Sequence, residues 1–176
     1  MLRSAFTVGL AMFVGGCDDR VVQPSLKPLT SAQASDARNA ASKIVGKNGR
    51  ALVICGQSDG LGVFELDWKS GFSSDGMKDG RLVFLVRDDG RVDVYFRDAV
   101  GKYTSSLEDG AEVRRISHPD RQIDSWIVSY ISTGIVETHN ITTVPEDGLV
   151  DLWTSNKPES LIGASAKLFR SSCIRA

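Results

Sequence analysis

From Ala51 onward the apolar and polar residues of this chain change places in short runs. Residues 51–55 (Ala-Leu-Val-Ile-Cys) are a continuous apolar run. Residues 62–68 alternate, with Val63, Glu65 and Asp67 opposed to Phe64, Leu66 and Trp68. A period of two over four to eight residues is that of a strand with one buried face. The same pattern predicts strands over 81–87, 91–97, 103–106, 111–117, 123–131, 135–144, 149–155 and 164–173. In 91–97, Val92, Val94 and Phe96 share one face, and Arg91, Asp93, Tyr95 and Arg97 the other, as in a half-buried hairpin. Asp-Gly occurs at 59–60, 75–76, 79–80, 89–90, 109–110 and 147–148, and four of these separate predicted strands. Glycine supplies positive φ and aspartate tolerates or caps the turn, so the dipeptide marks hairpins. Nine or ten short strands in consecutive hairpins, with no helices between them, predict a mainly β domain. The expected architecture is an antiparallel meander closing into a small barrel, with a β-sandwich as the alternative.

One short helix is predicted ahead of the strands, over about 32–45. Ser31 or Ser35 can cap it and Asp36 suits its first turn. Ala37, Ala40, Ala41, Ile44 and Val45 form its apolar stripe, and Gly46 and Asn48-Gly49 end it. Residues 18–29 hold Pro24 and Pro28 and show no period. They read as a tether, able to span roughly 30–40 Å when extended.

The first residues have a different character. Arg3 precedes thirteen uncharged residues, Ser4 to Gly16, whose apolar part is too short to cross a bilayer. A charged start, a short apolar stretch and small residues at its end form the pattern of a secretory signal. Val14-Gly15-Gly16-Cys17 resembles the lipobox of bacterial lipoproteins. The resemblance implies cleavage after Gly16 and acylation of Cys17. Two or three acyl chains hold a protein stably on a membrane, each buried CH₂ contributing about 0.8 kcal/mol. The expected organisation is a signal peptide (1–16), a lipidated cysteine with tether (17–30) and a single β-rich domain with its short helix (31–176). The body is expected to face the periplasm. Asp18 resembles the inner-membrane retention signal of enterobacterial lipoproteins and favours that membrane slightly; the outer membrane stays open.

Composition narrows the partners. The chain has 21 Lys and Arg against 22 Asp and Glu, and losing Arg3 with the leader moves its formal charge from −1 to −2. No basic patch stands out, so nucleic acid is not an expected partner. Of the three cysteines, Cys17 carries lipid in this reading. Cys55 and Cys173 remain as a pair in an oxidising compartment, where a disulfide is the inference.

Candidate chemistry is sparse. The polar segment 69–80 is the longest predicted stretch between strands. Asp75 and Asp79 could suggest calcium, but EF-hand spacing is absent and turn chemistry explains them better. As a long loop the segment is a candidate partner-binding element, with Trp68 and Phe72 as anchors. Trp126 and Tyr130 share a face with Val128 and are candidates to line a barrel cavity, or to fill a core. His118 and His139 have no ligand partners at metal spacing. Glu137 and His139 share a strand face and are the one visible seed of acid–base catalysis, although an exposed polar face is the commoner meaning of such a pair. No serine sits in a nucleophile-elbow pattern, and no cofactor is indicated.

A lipobox, a β-rich domain and a terminal cysteine pair also look like the membrane-bound inhibitors of c-type lysozyme. This chain is longer than those proteins and spaces its cysteines differently, and no residue is carried over. Cys55-Gly56, Gly71-Phe72-Ser73, Trp153 and Cys173 look like small secreted proteins of alphaproteobacteria. The expectation from all of this is a non-enzymatic, membrane-anchored lipoprotein that binds an envelope protein, as an accessory, inhibitor or immunity factor. The alternatives are a carrier of a small apolar ligand and an envelope hydrolase.

Overall fold

The computed structural model describes residues 28–46, 49–77, 82–97, 100–158 and 163–176, and for residues 67, 68, 70 and 77 the backbone alone. The leader, Cys17, the tether as far as Lys27, and Asp79-Gly80 lie outside the described residues.

Helix α1 spans Ser31–Val45. Its cap is Thr30 rather than Ser31 or Ser35. The Thr30 hydroxyl accepts from the Gln33 amide at 3.3 Å, and the Gln33 carbonyl oxygen accepts from the Thr30 amide at 3.0 Å. This is a capping box, which satisfies two amides that the helix start would leave open. With Thr30 rather than Ser35 as the cap, Asp36 falls beyond the first turn. Ala34, Ala37, Ala41 and Val45 are its buried side chains, and Gly46 ends it as expected.

Ten strands follow: β1 (Gly49–Phe64), β2 (Ser73–Met77), β3 (Leu82–Arg87), β4 (Val92–Arg97), β5 (Tyr103–Ser105), β6 (Glu112–His118), β7 (Ile123–Tyr130), β8 (Ile135–Val144), β9 (Gly148–Lys157) and β10 (Ser165–Arg175). All belong to one antiparallel sheet in the order β5-β4-β3-β1-β10-β9-β8-β7-β6, with β2 attached to β1. The meander is therefore present, and the sheet curls into an open half-barrel rather than splitting into a sandwich. The first and last strands pair along most of their length. The two ends of the sheet, β5 and β6, are joined by a tight turn. In it the Ser106 amide donates to the Val94 carbonyl and the Ala111 amide to the Ser106 carbonyl, both at 2.9 Å.

β1 departs from its prediction. The expected strands over 51–55 and 62–68 are one continuous strand that ends at Phe64, followed by a 3-10 helix over Glu65–Ser70. Asp59-Gly60 is inside this strand and turns nothing. A Cβ at Gly60 would collide with the Leu168 carbonyl of β10 and lie 2.7 Å from the Phe169 ring, so the glycine lets both the neighbouring strand and an aromatic ring come close. Asp75-Gly76 is likewise within β2, so the predicted 69–80 loop is partly strand. The pairs at 89–90, 109–110 and 147–148 do mark turns, with φ of +83° at Gly90 and +90° at Gly110.

Two apolar clusters hold the body. The inner, concave cluster includes Val53, Phe84, Val94, Trp126, Val128, Ile141, Trp153 and Phe169. The outer cluster packs Ala37, Ala41 and Val45 of α1 on Ile54, Val83 and Leu85. Val92, Val94 and Phe96 face inward as predicted. The opposite face of β4 is not simply solvent: Asp93 is fully buried. It accepts from Arg87 at 2.6 Å, from the Ser105 hydroxyl at 2.7 Å and from the Val94 amide at 2.8 Å. A buried carboxylate persists only with such partners. The Asp93 hydrogen bond is also the main reason the Arg87 guanidinium is held above its ordinary value.

Candidate functional site

The disulfide comes directly from strand pairing. Cys55 on β1 and Cys173 on β10 are opposite one another in register, and their sulfurs are bonded. Sequence counting finds the pair; the sheet supplies the geometry.

Register also builds a single inward row across six strands. Gly60 pairs with Phe169, Phe169 with Trp153, Trp153 with His139, His139 with Trp126, and Trp126 with Arg115. The Phe169 and Trp153 rings stack at 4.3 Å, and Trp153 and His139 at 5.2 Å. From the far wall Phe84 meets His139 at 5.1 Å and Trp126 at 5.2 Å. Each such ring pair contributes about 0.5–1.5 kcal/mol beyond area burial. The Arg115 guanidinium lies 5.5 Å over Trp126 and pairs with Asp124 at 2.9 Å. Trp126 thus belongs to a packed row, with 1% of its surface exposed. Tyr130, half-buried on the same face, donates to the Ser106 hydroxyl at 3.4 Å. Burial is the main cause holding the Tyr130 phenol above its ordinary value.

His139 is not part of an exposed polar face: it and Asp151 are both fully buried, with Nδ1 and Oδ2 2.7 Å apart. Glu137 shares the inner face and accepts from the Ser155 hydroxyl at 3.1 Å. Burial is the largest influence on His139 and disfavours its charge. Attraction to Asp151, the hydrogen bond between them, and Glu137 together outweigh it, so the imidazole is held above its ordinary value. Acid–base catalysis needs contact with a substrate, and this dyad is sealed beneath aromatic rings. Among the described residues the His139 Nε2 atom has no hydrogen-bond partner, so none of their hydroxyls is held against it. Among the described residues no cluster of three metal-binding side chains occurs.

The raised His139 pKa makes stability depend on pH. A group that binds its proton more tightly when folded contributes stability that is complete below its unfolded value, about 6.5. That contribution is lost as pH rises through the folded value. The midpoint of urea unfolding is therefore expected to fall as pH rises from 6 toward 9. The His139→Leu/Asp151→Leu protein, which strands neither partner, should flatten that slope, and equal slopes in the two proteins would contradict the assignment.

The predicted binding segment is divided by the fold. Trp68 lies in the 3-10 helix, of which the backbone is described here, and Asp79 is outside the described residues. Asp75, on β2, is held by Lys167 of β10 at 2.7 Å, and the same ammonium stands 5.0 Å over the Phe64 ring. Asp75 thus anchors β2 to β10. Phe72 is 65% exposed between the 3-10 helix and β2.

Phe72 has companions that periodicity did not single out. Leu66 in the 3-10 helix is 78% exposed, and Ile131 after β7 is 71% exposed. β1 and β7 end, and β8 and β10 begin, at the same end of the sheet, as the pairings Phe64 with Ser165 and Tyr130 with Ile135 require. All three apolar side chains therefore project from one rim of the half-barrel. The rim is braced by two bonds between its loops: the Ala164 amide donates to Glu65 Oε2 at 2.8 Å, and the Glu65 amide to the Ala164 carbonyl at 2.8 Å.

No protein-family model, no curated protein and no solved structure matches the chain.

Proposed function

We propose that this chain is a non-enzymatic bacterial lipoprotein, held on a membrane through Cys17, that presents its half-barrel rim to an envelope protein. The carrying observation is the exposure of Leu66, Phe72 and Ile131 at one end of the half-barrel, where Glu65, next to Leu66, is bonded to Ala164. Several apolar side chains exposed together mark a contact site more strongly than single ones do, and a few anchors, aromatic ones above all, carry most of the binding energy. The inner face supports the same reading, because its dyad is buried and offers a substrate no access.

Delivery fits the chain's layout. Leu29, next to the start of the described body, lies over Gly56 on the outer face of β1, where a Cβ would come within 2.9 Å of it. Ten residues separate Cys17 from Pro28, enough to carry the body about 30 Å or more from the acyl chains. No described helix is long and apolar enough to cross a membrane.

The test is photo-crosslinking in intact envelopes with a benzophenone amino acid at Phe72. A discrete adduct is expected. With the same crosslinker at position 72, the Leu66→Asp/Ile131→Asp protein should lose at least tenfold in partner recovery while keeping its melting temperature, since both side chains are exposed. Undiminished recovery from the doubly substituted protein would remove the rim from the account.

A further inference from the structure

We propose that Glu137, half-buried just inside the rim, is the seat for an arginine side chain of the envelope partner. The proposal rests on the rim reading and adds to it the charge that the partner carries.

The carboxylates of the sheet carry the argument. Among the described residues, those on strands that are buried or half-buried are Asp75, Asp93, Asp124, Glu137 and Asp151. Four of them face a basic group: Asp75 faces Lys167, Asp93 faces Arg87, Asp124 faces Arg115 and Asp151 faces His139, all at 2.6–2.9 Å. Glu137 is the exception. Its Oε1 accepts from the Ser155 hydroxyl at 3.1 Å, and no described residue forms an ion pair with it. A carboxylate partly withdrawn from water gains most from a charged donor, and the fold supplies one everywhere but here.

Register fixes where this carboxylate stands. Residues 131–134, with the exposed Ile131, turn β7 into β8. Tyr130 and Ile135 are directly opposite each other at that turn. Glu137 is the next inward residue along β8, diagonal to Tyr130 and opposite Ser155. It is one row nearer the rim than His139, which Phe84 covers and which is fully buried. A side chain entering past Ile131 therefore meets Tyr130 and Glu137 first.

The chemistry of the seat favours a guanidinium. Ser155 occupies one carboxylate oxygen, and Oε2 accepts from nothing among the described residues. A guanidinium offers a planar fork of donors to a carboxylate and also lies well against an aromatic ring, such as that of Tyr130. Lys157, diagonal to Glu137 on β9, is in no ion pair. Apolar contacts at Leu66, Phe72 and Ile131 would exclude water from the pair, which strengthens it.

The test titrates the full mature chain with N-acetyl-arginine amide and follows the Tyr130 and Glu137 amides by NMR. Saturable shifts are expected, weakened at least tenfold in Glu137→Gln and absent with N-acetyl-glutamine amide. Glu137→Gln retains an oxygen that accepts from Ser155, so the melting temperature should hold. In intact envelopes, with the crosslinker at position 72, Glu137→Gln should lower partner recovery severalfold. Shifts that do not saturate or that persist in Glu137→Gln would overturn the seat. Full recovery from Glu137→Gln where Leu66→Asp/Ile131→Asp loses it would overturn the seat and leave the rim. Non-additive stability losses in Glu137→Gln and Lys157→Gln would make Lys157 the partner of Glu137 and overturn it as well. The titration needs no partner protein, so it separates failure of the seat from failure of the rim.

Discussion

Serine at both Cys55 and Cys173 is expected to lower the unfolding free energy by about 2–5 kcal/mol. The bridge joins residues 118 apart in sequence and ties the first strand to the last. A crosslink closing a loop of about 100 residues removes about 4.7 kcal/mol of chain entropy from the unfolded state in the simplest treatment. The β1–β10 ladder remains after the substitution, so the fold survives at lower stability. Urea titration of both proteins, and of the parent under reductant, checks this. Matching midpoints would show that the bridge constrains nothing the sheet does not already hold.

The second large effect concerns the buried dyad. Asp151→Leu leaves His139 buried without its partner, and His139→Leu leaves the carboxylate stranded. Removing one member of a buried ion pair costs about 3–5 kcal/mol, whereas replacing both by apolar residues is often close to neutral. Each single variant is thus expected to lose several kcal/mol, and the double variant less than either. Losses that simply add would mean the two side chains are not coupled. A double variant with the parent's pH dependence would move the titration to another group.

Much of this architecture is legible in the alternation of residues. The strands from Leu82 to Val144 begin and end within a residue or two of where the period places them, and three of the turns between them carry Asp-Gly or Thr-Gly. β1 misled the period. Gly60 looks like a turn residue but makes room for the Leu168 carbonyl and the Phe169 ring of β10, and local chemistry does not distinguish these uses. The same ambiguity concealed β2, whose Asp75 is fixed by Lys167 from a distant strand. The capping box was legible in Thr30-Ser-Ala-Gln33 and belonged to a residue just before the apolar stripe.

The inner polar residues were the least legible. Asp151 gives no local sign that it serves His139, since strand pairing alone makes them neighbours. One signal was available: Asp151 is two residues from Trp153, and His139 two from Ile141. Polar residues that alternate in phase with large apolar ones belong to the buried face. Asp93 differs again, being out of phase with Val92 and Val94 and buried because Arg87 and Ser105 reach over it. Leu66 and Ile131 are ordinary apolar residues in sequence. Their meaning comes from the rim on which the strand ends place them.

Intact-mass spectrometry of the protein extracted with detergent from a bacterial envelope tests the central claim most directly. The account predicts a chain beginning at Cys17, heavier by a diacylglyceryl group on its sulfur, with Cys55 and Cys173 joined. A product that retains Met1, or one with a free thiol at Cys17, would contradict it.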